Sequence, residues 1–138
     1  MAATETASDY ALGFTTQEQE TTVDALPVEG ALPPWLAGSL LRTGPAKFEA
    51  GERSLRHWFD GFAMLHRYSF EDGRVSYANR FLGSRAYRTA RETGRLGYRE
   101  FATDPCRSLF ARASSMFRPQ LSDNGAVNVS RVGDDSSP

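Results

Sequence analysis

The chain has 138 residues, of which 40% are apolar and 24% charged, and its formal net charge is −1. Those values describe one soluble globular domain with a modest core, and they give no reason to expect a nucleic-acid partner. A single cysteine, Cys106, excludes an internal disulfide and a thiolate metal cage, and no apolar run approaches the ~20 residues that cross a bilayer.

Residues 1–26 are rich in Ala, Thr, Glu and Gln, carry few large apolar groups and read as a mobile or loosely docked leader, which Tyr10, Leu12 and Phe14 are able to pin. The first 22 residues lack the basic and apolar regions of a secretory signal, so a cytoplasmic location is expected. Charge is unevenly spread. Residues 1–41 hold six acidic side chains and no Lys or Arg, whereas residues 42–138 hold sixteen basic and eleven acidic ones, a net of +5. Fifteen of the sixteen basic residues are Arg, a bias that genome composition explains as simply as function does.

Glycine and proline punctuate residues 27–62 and forbid long helices there. Residues 33–38 predict one helical turn closed by Gly38. Residues 39–42 predict a short buried strand, broken by Gly44-Pro45. Residues 63–82 predict a β-hairpin: Met64, His66, Tyr68 and Phe70 share one face, Val75, Tyr77, Asn79 and Phe81 repeat the pattern, and Asp72-Gly73 supplies the positive φ of a tight turn. Beyond it, residues 96–101 and 126–132 read as strands and residues 123–125 as a turn. Residues 105–118 predict a short amphipathic helix with Asp104 as N-cap. Its stripe is Cys106, Leu109, Phe110, Ala113 and Phe117, with Arg107, Arg112 and Arg118 off the stripe.

Few residues are suited to chemistry. His57 and Asp60 form H-x-x-D, and His66 follows nine residues after His57. Two histidines and a carboxylate are the donor set of an iron facial triad; the alternative is that His57 hydrogen-bonds within a loop and His66 packs on a strand face. Cys106, beside Arg107 at a helix start, is either a reactive thiol or a small core group. The 105–118 stripe either packs on the sheet or lies on a membrane surface with Leu109, Phe110, Met116 and Phe117 toward lipid. There is no P-loop, no G-x-G-x-x-G and no nucleophile elbow.

Several motifs occur in a fixed order: Gly30-Ala31-Leu32-Pro33, Trp35-Leu36, Gly38-Ser39-Leu40-Leu41-Arg42-Thr43-Gly44-Pro45, His57-Trp58-Phe59-Asp60-Gly61, Leu65-His66, Asp104-Pro105-Cys106 and Asp123-Asn124-Gly125-Ala126-Val127-Asn128-Val129. From about residue 27 to about residue 133 this ordered set resembles the opening of the carotenoid cleavage oxygenase family. The resemblance implies an all-β chain in which residues 27–138 form the N-terminal portion of a seven-bladed β-propeller: about one blade plus dome segments, with one short amphipathic helix. It implies a non-haem iron(II) held by four histidines, which with O2 cleaves a double bond of a carotenoid or apocarotenoid to give two carbonyl products. In that family the four histidines fall beyond Pro138, so no catalytic or metal residue is expected within this chain and no iron is expected to bind it. Arg42, Gly44, Pro45, His57, Trp58, Phe59, Asp60 and Gly61 then belong to a framework motif. The chain alone is expected to be inactive; the alternative is a non-enzymatic module that binds a lipid surface or a partner. Because a propeller protects its sheet edges by closing, the hairpin is expected to leave Met64, Tyr68, Phe70, Val75, Tyr77 and Phe81 poorly covered.

Overall fold

The computed structural model describes residues 9–98, 102, 103 and 121–129. The predicted helix at 105–118, with Cys106, Leu109, Phe110, Met116 and Phe117, lies outside them.

The described residues are mostly strand. Thr22–Val23 (β1), Gly38–Lys47 (β2), Glu49–Ala50 (β3), Arg53–Ser54 (β4), Phe62–Glu71 (β5) and Arg74–Phe81 (β6) are followed by one α-helix, Arg85–Thr93 (α1). Short 3-10 turns cover Asp9–Phe14 and Trp58–Asp60. One antiparallel sheet runs β1-β6-β5-β2, and β3-β4 form a separate small hairpin.

The predicted hairpin is β5-β6. Met64 lies opposite Phe81, His66 opposite Asn79, Tyr68 opposite Tyr77 and Phe70 opposite Val75, so the two alternating patterns share one face. Asp72 (φ 47°) and Gly73 (φ 72°) are both left-handed, the backbone of a type I′ turn, whose twist matches that of the strands it joins. The cover over this face differs from the expectation. Met64 is fully buried and Phe81 is buried with it, because Ala46 and the Tyr87 ring close over that end of the hairpin; Val75, at the other end, is buried too.

The strand expected at 39–42 is longer and more open than predicted. β2 continues through Gly44-Pro45 to Lys47, with a register shift between Pro45 and Lys47, and its first five residues are exposed. Being the edge strand of the described sheet, β2 tolerates a residue without an N–H beside a bulge. Residues 96–98 and 126–129 form no strand, contrary to expectation; the remainder of both predicted strands lies outside the described residues.

Helix α1 was not anticipated from the sequence. Ser84 caps it, its Oγ accepting from Tyr87 N (3.0 Å), and Gly94 closes it in the left-handed conformation. Only Ala86 and Ala90, four residues apart, are buried on it. They pack with Ala50, Leu55 and Phe62 in one cluster; Tyr87 bridges to the second cluster of Ala46, Met64 and Phe81, its ring 4.5 Å from that of Phe81 and 5.8 Å from that of Phe62. Each large apolar side chain buried here is worth about 1.5–3 kcal/mol.

The stretch before β2 is tied to the sheet. Gln17 N donates to Ala46 O (2.7 Å), Phe48 N to Thr16 Oγ1 (3.1 Å), Phe81 N to Glu20 Oε1 (2.9 Å) and Leu26 N to Val75 O (2.7 Å). Lys47 pairs with Glu18 at 2.7 Å and Arg80 with Glu20 at 3.7 Å. The acidic leader therefore meets basic groups of its own chain.

Candidate functional site

The motif residues gather where the Trp58–Asp60 turn enters β5. His57 caps the turn in an extended conformation, its Nδ1 accepting from Phe59 N (3.2 Å). Asp60 is wholly buried. A carboxylate at such a depth is tolerated only with full hydrogen bonding, and it has that: Oδ1 accepts from Ala102 N (3.0 Å) and Oδ2 from the Thr103 hydroxyl (2.6 Å). Thr103 Oγ1 in turn accepts from Arg56 N (2.8 Å). The carboxylate thus stitches a chain segment more than forty residues away to the start of β5.

A second stitch arrives from residues 123 and 124. Asn124 Nδ2 donates to Gly61 O (2.8 Å) and its Oδ1 accepts from Ala63 N (2.9 Å), so one amide takes the place of a neighbouring strand. Asp123 caps α1 from outside, its Oδ2 accepting from Arg85 N (2.8 Å) and its Oδ1 from Ala86 N (3.0 Å). Partial burial works against this carboxylate, but the two backbone N–H groups and the Arg85 guanidinium (3.3 Å) outweigh that and hold its pKa down to about 2. Gly61 is fixed by space. A Cβ there would lie 2.6 Å from Pro45 Cβ and 2.7 Å from Phe48 Cε1, so the G-P and D-G motifs meet in one contact.

On the sheet face, Arg42 lies opposite His66 across the β2-β5 pair. His66 Nδ1 is 2.8 Å from the Tyr77 hydroxyl, and Asn79 Nδ2 donates to the same oxygen (3.1 Å). Asn79 Oδ1 then accepts from Thr21 N (2.6 Å). Burial lowers the His66 pKa, and the Arg42 cation lowers it further. Leu40, Arg42, Pro45, Trp58, Tyr68 and Phe70 surround His66 in an open groove of about 540 Å³.

Arg42, Gly44 and Pro45 are thus brought beside His66, Met64 and Ala63 by strand pairing, while His57, Trp58, Phe59, Asp60 and Gly61 form the turn. His57, Asp60 and His66 do not converge: His57 caps a turn, Asp60 faces Ala102 and Thr103, and His66 faces Tyr77. Among the described residues no group of three or more His, Cys, Asp or Glu is placed to hold a metal ion. The facial-triad alternative fails on that geometry, and the described residues do not fit an iron centre. Also among the described residues, no helix is long and apolar enough to cross a membrane. Thr103 and Ala102, the partners of Asp60, carry no local signal in the sequence; Asp123-Asn124-Gly125 reads only as a turn.

Comparison with known proteins places this arrangement. A family model described as retinal pigment epithelial membrane protein matches residues 14–136. The chain is 44% identical to the mitochondrial carotenoid-cleaving dioxygenase of Mustela putorius furo over 127 residues, covering 88% of this chain and 24% of that protein. It is 39% identical to the human β,β-carotene 15,15′-dioxygenase over 134 residues, covering 92% and 24%. A solved structure of cobalt-substituted Synechocystis apocarotenoid oxygenase superposes with a TM-score of 0.74 at 33% identity, covering 84% of this chain and 24% of that one. The chain spans about a quarter of the length of these proteins.

Proposed function

Since the chain belongs to the retinal pigment epithelial membrane protein family, among whose members are carotenoid-cleaving oxygenases, we propose that it supplies the N-terminal framework of a non-haem iron(II) dioxygenase that cleaves a double bond of a carotenoid or apocarotenoid, and that it is inactive by itself. The four-stranded antiparallel sheet has the strand number of one propeller blade, which supports placing it in a seven-bladed propeller. The observation that carries the reading is the conjunction of the match over residues 14–136 with a motif turn whose His57 and Asp60 are spent on holding the chain together, not on a metal.

In this reading the iron supplies oxygen activation when bound, and its histidines come from parts of the family scaffold that this chain does not match. This chain's own contribution is rigidity. Asp60 and Asn124 fix the entry to β5, Asp123 fixes α1, and Gly61 lets the turn close on Pro45. Positioning of this kind matters because a misplacement of ~1 Å far from the chemistry costs a rate factor of ~10².

A fusion tests it. The 138 residues joined to the unmatched three quarters of the ferret relative, supplied with iron(II), are expected to cleave a carotenoid or apocarotenoid to aldehydes in an O2-dependent reaction, whereas the 138 residues alone are not. A fusion that folds, binds iron and leaves every carotenoid intact would sink the reading.

A further inference from the structure

We propose that the cavity between the leader, the sheet and α1 binds a free α-amino acid with a large apolar side chain: its carboxylate at Arg91 and Tyr87, its ammonium at Glu18 and Glu20, its side chain against Phe62 and Phe81. The inference goes beyond the family reading and stands on this chain's own residues.

The cavity holds about 470 Å³, within the ~300–1,000 Å³ of small-molecule sites. The sequence of α1 leaves it open. The buried positions of that helix are Ala86 and Ala90, whose short side chains pack with Phe62 and leave the space beside the rings unfilled. Tyr87 and Arg91, four residues apart, are neighbours on the helix surface, and both line the cavity. Gly51 and Gly94 border it as well, their backbones so close that a Cβ on Gly51 would run into Gly94 O. The remaining wall is aromatic. The Tyr87 ring stacks on Phe81 at 4.5 Å and meets Phe62 edge-on at 5.8 Å, a surface that suits an apolar or aromatic side chain.

The charges at the cavity come from different elements. The leader supplies Glu18 and Glu20, and α1 supplies Arg91. Lys47 lines the cavity too, but Glu18 (2.7 Å) and Glu49 (3.2 Å) already hold it. Arg91 makes no ion pair among the described residues, and a guanidinium cannot shed its charge. A carboxylate offers about four acceptor sites. Glu20 accepts from Phe81 N (2.9 Å) and faces Arg80 at 3.7 Å, and Glu18 meets Lys47, so both keep sites for a further donor. A ligand with a negative charge alone answers Arg91 and leaves the carboxylates; one with a positive charge alone does the reverse. A zwitterion answers both. The Tyr87 hydroxyl marks the meeting point. Burial raises its pKa, and Arg91, Glu20, Lys47 and Glu18 all act on this one group. It stays protonated and is a donor for the incoming carboxylate.

The test is calorimetric titration of the 138-residue chain with three probes that share one ring: L-phenylalanine, 3-phenylpropionate, which lacks the ammonium, and phenethylamine, which lacks the carboxylate. Phenylalanine is expected to bind at one site per chain, about tenfold tighter than either analogue. Arg91→Gln is expected to weaken phenylalanine and 3-phenylpropionate severalfold and to leave phenethylamine unchanged. Glu18→Gln with Glu20→Gln is expected to weaken phenylalanine and phenethylamine and to leave 3-phenylpropionate unchanged. Arg74→Gln, on the β5-β6 turn, is expected to change none. Circular dichroism of each variant separates lost binding from lost folding; should the chain not fold by itself, the same titrations are made on its fusion to the ferret relative. No saturable binding of phenylalanine, an analogue that binds as tightly, or Arg91→Gln without effect would each overturn the proposal. The two readings fail separately: an inactive fusion removes the enzymatic reading alone, and an active fusion that ignores phenylalanine removes the amino-acid site alone.

Discussion

Two carboxylates in this chain do opposite things with the same chemistry. Asp60 is sealed in, and in the folded chain its oxygens depend on two donors brought from residues 102 and 103. Asp60→Asn puts an N–H where an acceptor is required, and it is expected to lower stability by about 1–3 kcal/mol, read as a fall in the urea midpoint at an unchanged slope. Asp123 sits at the surface and holds the first two N–H groups of α1. Its folded pKa of about 2 lies below the ordinary value of 3.8. The unfolded chain therefore binds the proton more readily, and the stability Asp123 contributes is complete above about pH 4 and lost as pH falls from there toward 2. Asp123→Asn is expected to flatten that part of the acid-unfolding curve and to leave the neutral-pH limb of the curve nearly parallel to wild type.

At the scale of elements, contacts between segments matter more than the segments themselves. The Trp58–Asp60 turn meets β2 through Gly61, where any side chain would run into Pro45 and Phe48. Gly61→Ala is expected to cost about 1–3 kcal/mol by overpacking, measured as a lowered thermal midpoint, whereas Gly125→Ala, with open space at its Cβ, is expected to be near neutral. The hairpin β5-β6 was legible in the sequence because its information is local: a period of two on both strands and an Asp-Gly turn between them. β2 was misread as stopping at Gly44-Pro45, since proline breaks a central strand but not an edge one, and edge position is a property of the sheet. α1 was missed because its buried face is two alanines; Ser84 and Gly94 at its ends were the available signals. The stitches at Asp60 and Asn124 were invisible beyond the motif itself, since each joins groups 42 to 63 residues apart.

For the whole molecule, the leader and the sheet divide the charge between them. The acidic first third, through Glu18 and Glu20, meets Lys47 and Arg80, partly exposed pairs worth roughly 0–1 kcal/mol each, so backbone hydrogen bonds and packing hold the leader more than charge does. The architecture is a framework: two small cores, a sheet with one open aromatic face, and polar side chains committed to backbone. Nothing in the described residues gathers the donors of a redox metal, although the family reading is of an iron enzyme. Metal analysis of the purified 138-residue chain, loaded anaerobically with iron(II) and then desalted, tests this most directly. The account predicts far less than one iron per chain and no carotenoid cleavage; one tightly held iron per chain, lost on His57→Ala or His66→Ala, would contradict it.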